Sequence, residues 1–192
     1  MRKASYIASA AAIFIATCLA TPWFAGADEP KAEKPLKPAA AAKEAKPSDE
    51  AVARTRKQVQ MLDDLYKNAI VLITTHYVTE ETDLPAGAAF AALFDAMKKK
   101  GWHEVRLLDA TGEPIEDKNA PQDEFEKAAI AKLKTGAGTY EQVVTRDGKP
   151  YLRAATPIPV VMDKCVMCHD HYMDYQKKGQ IIGALGYIVP IE

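Results

Sequence analysis

The order of local signals in this chain predicts an α+β domain, with helices packed on a small antiparallel sheet. Three observations carry that expectation. Two helix patterns come first. Later, Asp147-Gly148 sits between two strand patterns, and Asp-Gly is the strongest short-range hairpin signal. An apolar strand pattern then closes the chain.

Each element has its own reason. Ser48 is placed as an N-cap, with Asp49 and Glu50 in the first turn. Val59, Leu62, Leu65, Ala69, Leu72, Ile73 and His76 then recur at helical spacing, so they are assigned to one face. Arg54, Arg56, Lys57, Asp63, Asp64 and Lys67 fall elsewhere. A second helix is expected over 88–100, with Phe90, Leu93, Phe94 and Met97 on one side and three lysines at its C-terminus, where cations suit the helix dipole. Gly101 ends it. Residues 103–109 carry Val105, Leu107 and Leu108 as a strand. Residues 122–134 form a third amphipathic helix, stopped by Gly136. Strands 140–146 and 151–156 flank the Asp-Gly turn, and Pro157 and Pro159 are expected to end the second of them. A loop follows. The last strand covers 181–191, and Gly183 and Gly186 mark places where something approaches the backbone closely. This is the layout expected of PAS-like sensor domains, a statement about fold that assigns no function.

The domain is expected to occupy residues 48–192. Before it, Arg2 and Lys3 precede an uncharged apolar run that closes at Ala25-Gly26-Ala27. That is the layout of a secretory signal peptide over residues 1–27. The rivals are an uncleaved membrane anchor and lipidation at Cys18. Residues 28–47 are almost all Ala, Lys, Glu and Pro. They bury too little apolar surface to offset ordering entropy, so they read as a disordered linker.

Cleavage after residue 27 removes Arg2 and Lys3 from 25 basic residues and none of 26 acidic ones, leaving 23 − 26 = −3. So mild a charge gives no electrostatic case for nucleic acid or an anionic membrane as partner. Membrane contact would come only through the N-terminus.

Of three cysteines, Cys18 leaves with the leader. Cys165 and Cys168 remain, in Cys165-Val166-Met167-Cys168-His169. C-x-x-C-H is a c-type haem attachment signature. The two thiols add to the vinyl groups on one porphyrin edge, and His169 is placed to ligate the iron. One covalent haem c is therefore expected, and export suits a haem attached outside the cytoplasm. A thioredoxin-type dithiol would follow a strand in a βαβ setting, which is missing. A structural zinc site would need two more ligands.

The sixth iron position separates electron transfer from ligand binding. His76 is the first candidate, because it extends an apolar helical face; the alternative is a core or helix-end histidine. Met61, Met97, Met162 and Met173 are further candidates, though such a methionine is more often simple core packing. An open site is the remaining option. His171 lies on the side the proximal imidazole already takes. Arg153, on the strand before the motif, is a candidate for a haem propionate; an exposed strand arginine is the alternative.

Tyr151-Leu152-Arg153-Ala154-Ala155-Thr156-Pro157-Ile158, the C-x-x-C-H run, Gly179 and Ile182-Gly183-Ala184 resemble the C-terminal half of a bacterial family of PAS-like haem-c domains. These occur alone as exported cytochromes and as periplasmic sensor parts of histidine kinases and chemotaxis-type receptors. The resemblance implies haem on the sheet of a PAS-like fold, with a role in redox or small-ligand sensing or in electron transfer. It implies a redox or signalling protein as partner, and a diatomic gas as a candidate ligand. Some members use a cysteine as second axial ligand, and the mature chain has none to spare. An enzyme is the less favoured class. A peroxidase-type site would need a distal acid–base group, for which His76 is the one candidate. A zinc-binding interaction module is the third class.

Overall fold

The computed structural model describes residues 46–80, 86–167 and 169–192. The expected leader, Cys18 and nearly all of the linker lie outside them. No helix among the described residues is long and apolar enough to cross a membrane.

The first helix, α1, runs Asp49–Tyr77, about 43 Å at 1.5 Å per residue. Ser48 caps it, its side chain accepting from the Ala51 N–H at 3.2 Å. Helix α2 covers Ala86–Lys100. Tyr66 of α1 meets the Phe90 and Phe94 rings of α2 edge-on, with centroids 6.3 and 5.1 Å away. Strand β1 follows at Glu104–Asp109 and helix α3 at Glu124–Lys134. Asp123 rather than Gln122 starts α3, its carboxylate accepting from the Glu126 N–H. Strands β2 (Tyr140–Arg146) and β3 (Lys149–Pro159) form the expected hairpin. Asp147 and Gly148 both have positive φ, 50° and 72°, as a twist-matched two-residue turn requires. Strand β4 covers Ile181–Pro190.

The sheet is antiparallel in the order β1-β4-β3-β2, so the last strand lies in the middle. Alternation then gives it two covered faces. Leu152, Ala154, Leu185, Tyr187 and Val189 pack with α1 and α2. Ala155, Ala184 and Leu108 pack with Phe125, Ala129, Ile130 and Leu133 of α3. The architecture is an α+β domain of PAS-like fold.

One strand expectation needs correction. Pro157 and Pro159 do not end β3, which pairs with β4 through both. Pairing with β2 stops at Ala155, so beyond it β3 is an edge strand on one side, where proline is tolerated. The close approach at the glycines comes from β1: a Cβ on Gly183 would lie 2.6 Å from the Leu108 carbonyl oxygen, and one on Gly186 would lie 3.1 Å from Leu108 Cδ1.

His103 is buried just ahead of β1, with Nε2 2.8 Å from the Tyr66 hydroxyl. Burial pushes its imidazole below the ordinary histidine value. In the unfolded chain His103 takes its proton near about pH 6.5; in the folded chain it resists until lower pH. The stability this neutral pair contributes is therefore present above about pH 6.5 and lost as pH falls through the depressed folded value. Melting curves at pH 7.5 and 5.5 are expected to show a loss in acid that His103→Asn reduces. An equal acid loss in the variant would refute the assignment.

Candidate functional site

Three short helical pieces replace the expected loop after β3. Helix α4 covers Lys164–Met167, a 3-10 turn covers Asp170–Tyr172, and helix α5 covers Met173–Lys178. Gly179 ends α5 with φ 63°, a conformation in which glycine carries no Cβ penalty. The Tyr175 hydroxyl donates to the Thr111 carbonyl at 3.3 Å, tying α5 to the turn after β1.

This segment walls a cavity of about 250 Å³ on the α1–α2 face of the sheet. Cys165, His169 and Tyr172 come from the segment; Ile158, Pro159 and Ile182 come from β3 and β4. Lys67, Ile70, Val71 and Thr74 come from α1, and Ala86 and Gly87 from α2. Most of the lining is apolar. Cys165 and His169 thus reach one cavity together. Cys165 is a free thiol. Cys168 falls outside the described residues.

Burial, and next the neighbouring His171, hold the His169 imidazole below the ordinary histidine value. A neutral imidazole keeps a nitrogen lone pair for a metal. The His169 ring lies 4.9 Å from the Tyr172 ring and 6.0 Å from that of His171. His171 itself is exposed. Among the described residues, no three His, Cys, Asp or Glu side chains converge as a metal centre.

His76 does not point inward. It is exposed in the last turn of α1 and is not part of the cavity wall. It stands two residues after Thr74, about 200° further round the helix, so it faces nearly away from the wall that Thr74 belongs to. Of the candidate thioethers, Met162 lines the cavity, with Sδ 3.9 Å from the Thr75 hydroxyl. Met61 is 63 % exposed and Met173 43 %, and Met97 lies half-buried on α2.

Arg153 is also elsewhere. Strand alternation turns it to the α3 face, between Leu152 and Ala154, which point to α1. Its Nη2 lies 2.8 Å from Asp123 Oδ2, and its guanidinium carbon lies 4.2 Å from the centre of the Phe125 ring. It takes no part in the cavity.

Two side chains that local pattern did not single out are prominent. Lys164 donates to the carbonyls of Thr74, Thr75 and Val78 at 3.4, 2.9 and 2.8 Å. Its ammonium closes the C-terminus of α1, where free carbonyls and the dipole favour a cation, and pins the residue before Cys165 to that helix. Lys67 donates to Asp63 Oδ2 at 2.8 Å and to Thr156 Oγ1 at 3.0 Å. A Lys four residues after an Asp usually reads as a solvated helix pair, so its signal was hidden.

Fold and site together define a PAS-like α+β domain whose sheet, first helix and Cys/His segment enclose one apolar cavity. The Tll0287-like family model (Tll0287) matches residues 38–190, and the chain belongs to that family. No curated protein matches it.

Proposed function

We propose that this chain is an exported monohaem c-type cytochrome domain, acting in small-ligand or redox sensing or in electron transfer. The observation that carries the proposal is the convergence of Cys165 and His169 on one apolar cavity. A thiol beside a neutral imidazole, facing aliphatic walls, is a donor set suited to haem. Cys165 and Cys168 would hold the macrocycle by thioether bonds, and His169 would ligate the iron. The bound haem supplies a redox couple and an exchangeable coordination position. Ile70, Val71 and Ile158 would shield it from water, and Lys164 holds the segment carrying Cys165 against α1.

The α1 side of the cavity presents Lys67, Ile70, Val71 and Thr74, without an imidazole, and the one candidate thioether in the lining, Met162, is held at its Sδ 3.9 Å from the Thr75 hydroxyl. This favours an exchangeable sixth position, and with it ligand sensing, over a carrier with two firm protein ligands. His76, the histidine a peroxidase-type site would need, is exposed on α1 outside the cavity lining, which weighs against that alternative. A separate signalling or redox protein would read the domain's state.

Expression of the full chain with cytochrome c maturation machinery tests this. A covalent haem band should survive denaturing electrophoresis, and carbon monoxide should bind rapidly to the reduced form. No covalent band would end the haem proposal. A band with slow or absent carbon monoxide binding would leave an electron carrier and end the sensing preference.

A further inference from the structure

Lys67 and Lys164 are the two cations in the cavity lining, and they are not equivalent. An ammonium has three donors. Lys164 spends its three on the carbonyls of Thr74, Thr75 and Val78. Lys67 spends two, on Asp63 and Thr156. Among the described residues, Lys67 keeps one donor beyond these two bonds, and the residue lines the cavity.

That ammonium is held in place from behind. Asp63 Oδ1 accepts from the Thr156 hydroxyl at 2.5 Å and from the Tyr187 hydroxyl at 2.9 Å. Tyr187 is fully buried in β4, and Thr156 is buried in β3. Burial and then the Asp63 charge push the Tyr187 phenol far above its ordinary value, so it stays a donor. A donor fixed before its ligand arrives loses little entropy on binding.

Its place along the helix is also informative. Lys67 precedes Thr75 by eight residues, about 12 Å along α1. Lys164 touches Thr75 and adjoins Cys165, so Lys67 stands toward the end of the cavity away from Cys165. Thioether bonds engage the vinyl edge of a porphyrin, and its propionates leave from the opposite edge.

We infer that Lys67 is the cavity's carboxylate anchor, bridging Asp63 and one haem propionate. The inference rests on the haem proposal and gives Lys67 the role the sequence suggested for Arg153. A free carboxylate metabolite presents the same chemistry, and the test separates the two.

The full chain, produced without maturation machinery and kept reduced, is titrated by fluorescence with zinc protoporphyrin IX and with its dimethyl ester. The diacid should bind about tenfold more tightly than the diester, as a charge-assisted hydrogen bond predicts. Lys67→Met should reduce that preference to about twofold or less, and Arg153→Met should leave it intact. Circular dichroism on each variant confirms the fold, and Lys67→Arg should restore part of the preference if Lys67→Met unfolds. A preference unchanged in Lys67→Met, or lost in Arg153→Met, overturns the inference, as does failure to bind either porphyrin. Succinate that displaces the diester only when Lys67 is present would assign the anchor to a free carboxylate and overturn the propionate assignment. Covalent haem with no diacid preference would leave the haem proposal standing and refute the anchor alone.

Discussion

With serine at both Cys165 and Cys168, the chain expressed with maturation machinery is expected to carry no covalent haem. The thioether bonds need thiols, and hydroxyls do not add to the vinyl groups under those conditions. The effect should extend beyond colour. A cavity of about 250 Å³ is a large void for a domain of this size. Its apolar walls are left facing solvent when no group fills it. Covalently attached haem stays on the unfolded chain, so it would stabilise the fold only through the apolar surface it buries in the cavity and the iron–imidazole bond made there. The haem-free double variant should therefore melt about 5–15 °C below the haem-bound chain. His169→Ala should differ from it, because thioether attachment survives while the iron loses its proximal ligand and the visible spectrum shifts. Equal melting of attached and unattached forms would mean that the cavity is not where the haem lies.

The parts of this molecule that were legible in advance share one property: their cause lies within a few residues. The Ser48 cap and the Asp147-Gly148 turn are of this kind. The order of elements was legible for the same reason, and with it the α+β class. What escaped depends on contacts across the chain. The face chosen by a helix residue is set by what packs on it. Thr74 belongs to the cavity wall because β3 and the Cys/His segment come to that side of α1, and His76 is turned outward by the same choice. The central place of β4 is likewise a long-range pairing, joining Leu107 to Leu185 and Thr156 to Leu185. Arg153 was half legible. Period-2 alternation opposes it to Leu152 and Ala154, but both faces of β3 are covered, so alternation alone does not say which face holds the site. The Asp63–Thr156–Tyr187 cluster joins three elements up to 124 residues apart, and no local pattern announces it.

The α3 face supplies the converse of the cysteine experiment. Glu126 is buried, and its carboxylate accepts two bonds from Arg106 Nη1 at 2.9 and 2.8 Å and one from the Gln122 N–H at 2.8 Å. Arg106 donates further to the carbonyls of Lys118 and Ala120, so this pair holds the turn before α3 against β1. Arg153 lies 3.9 Å from the same carboxylate. Glu126→Ala would leave the half-buried Arg106 without its bidentate partner and a backbone N–H without an acceptor. Breaking a buried pair on one side costs about 3–5 kcal/mol; the partial exposure of Arg106 puts the expected loss near about 3 kcal/mol, or about 6–12 °C in melting temperature. Glu126→Gln keeps the acceptor oxygen and should lose about half as much. Neither variant touches the cavity, because the carboxylate and both arginines lie across the sheet from it. The haem-loaded Glu126→Ala protein, held below its melting point, should therefore keep the wild-type visible spectrum and carbon monoxide binding. Lys67→Met acts on the other face of the sheet, with a direct effect on what the cavity would hold. An altered haem spectrum in folded Glu126→Ala would show that the two faces of the sheet are coupled, and would reopen a role for Arg153 at the haem.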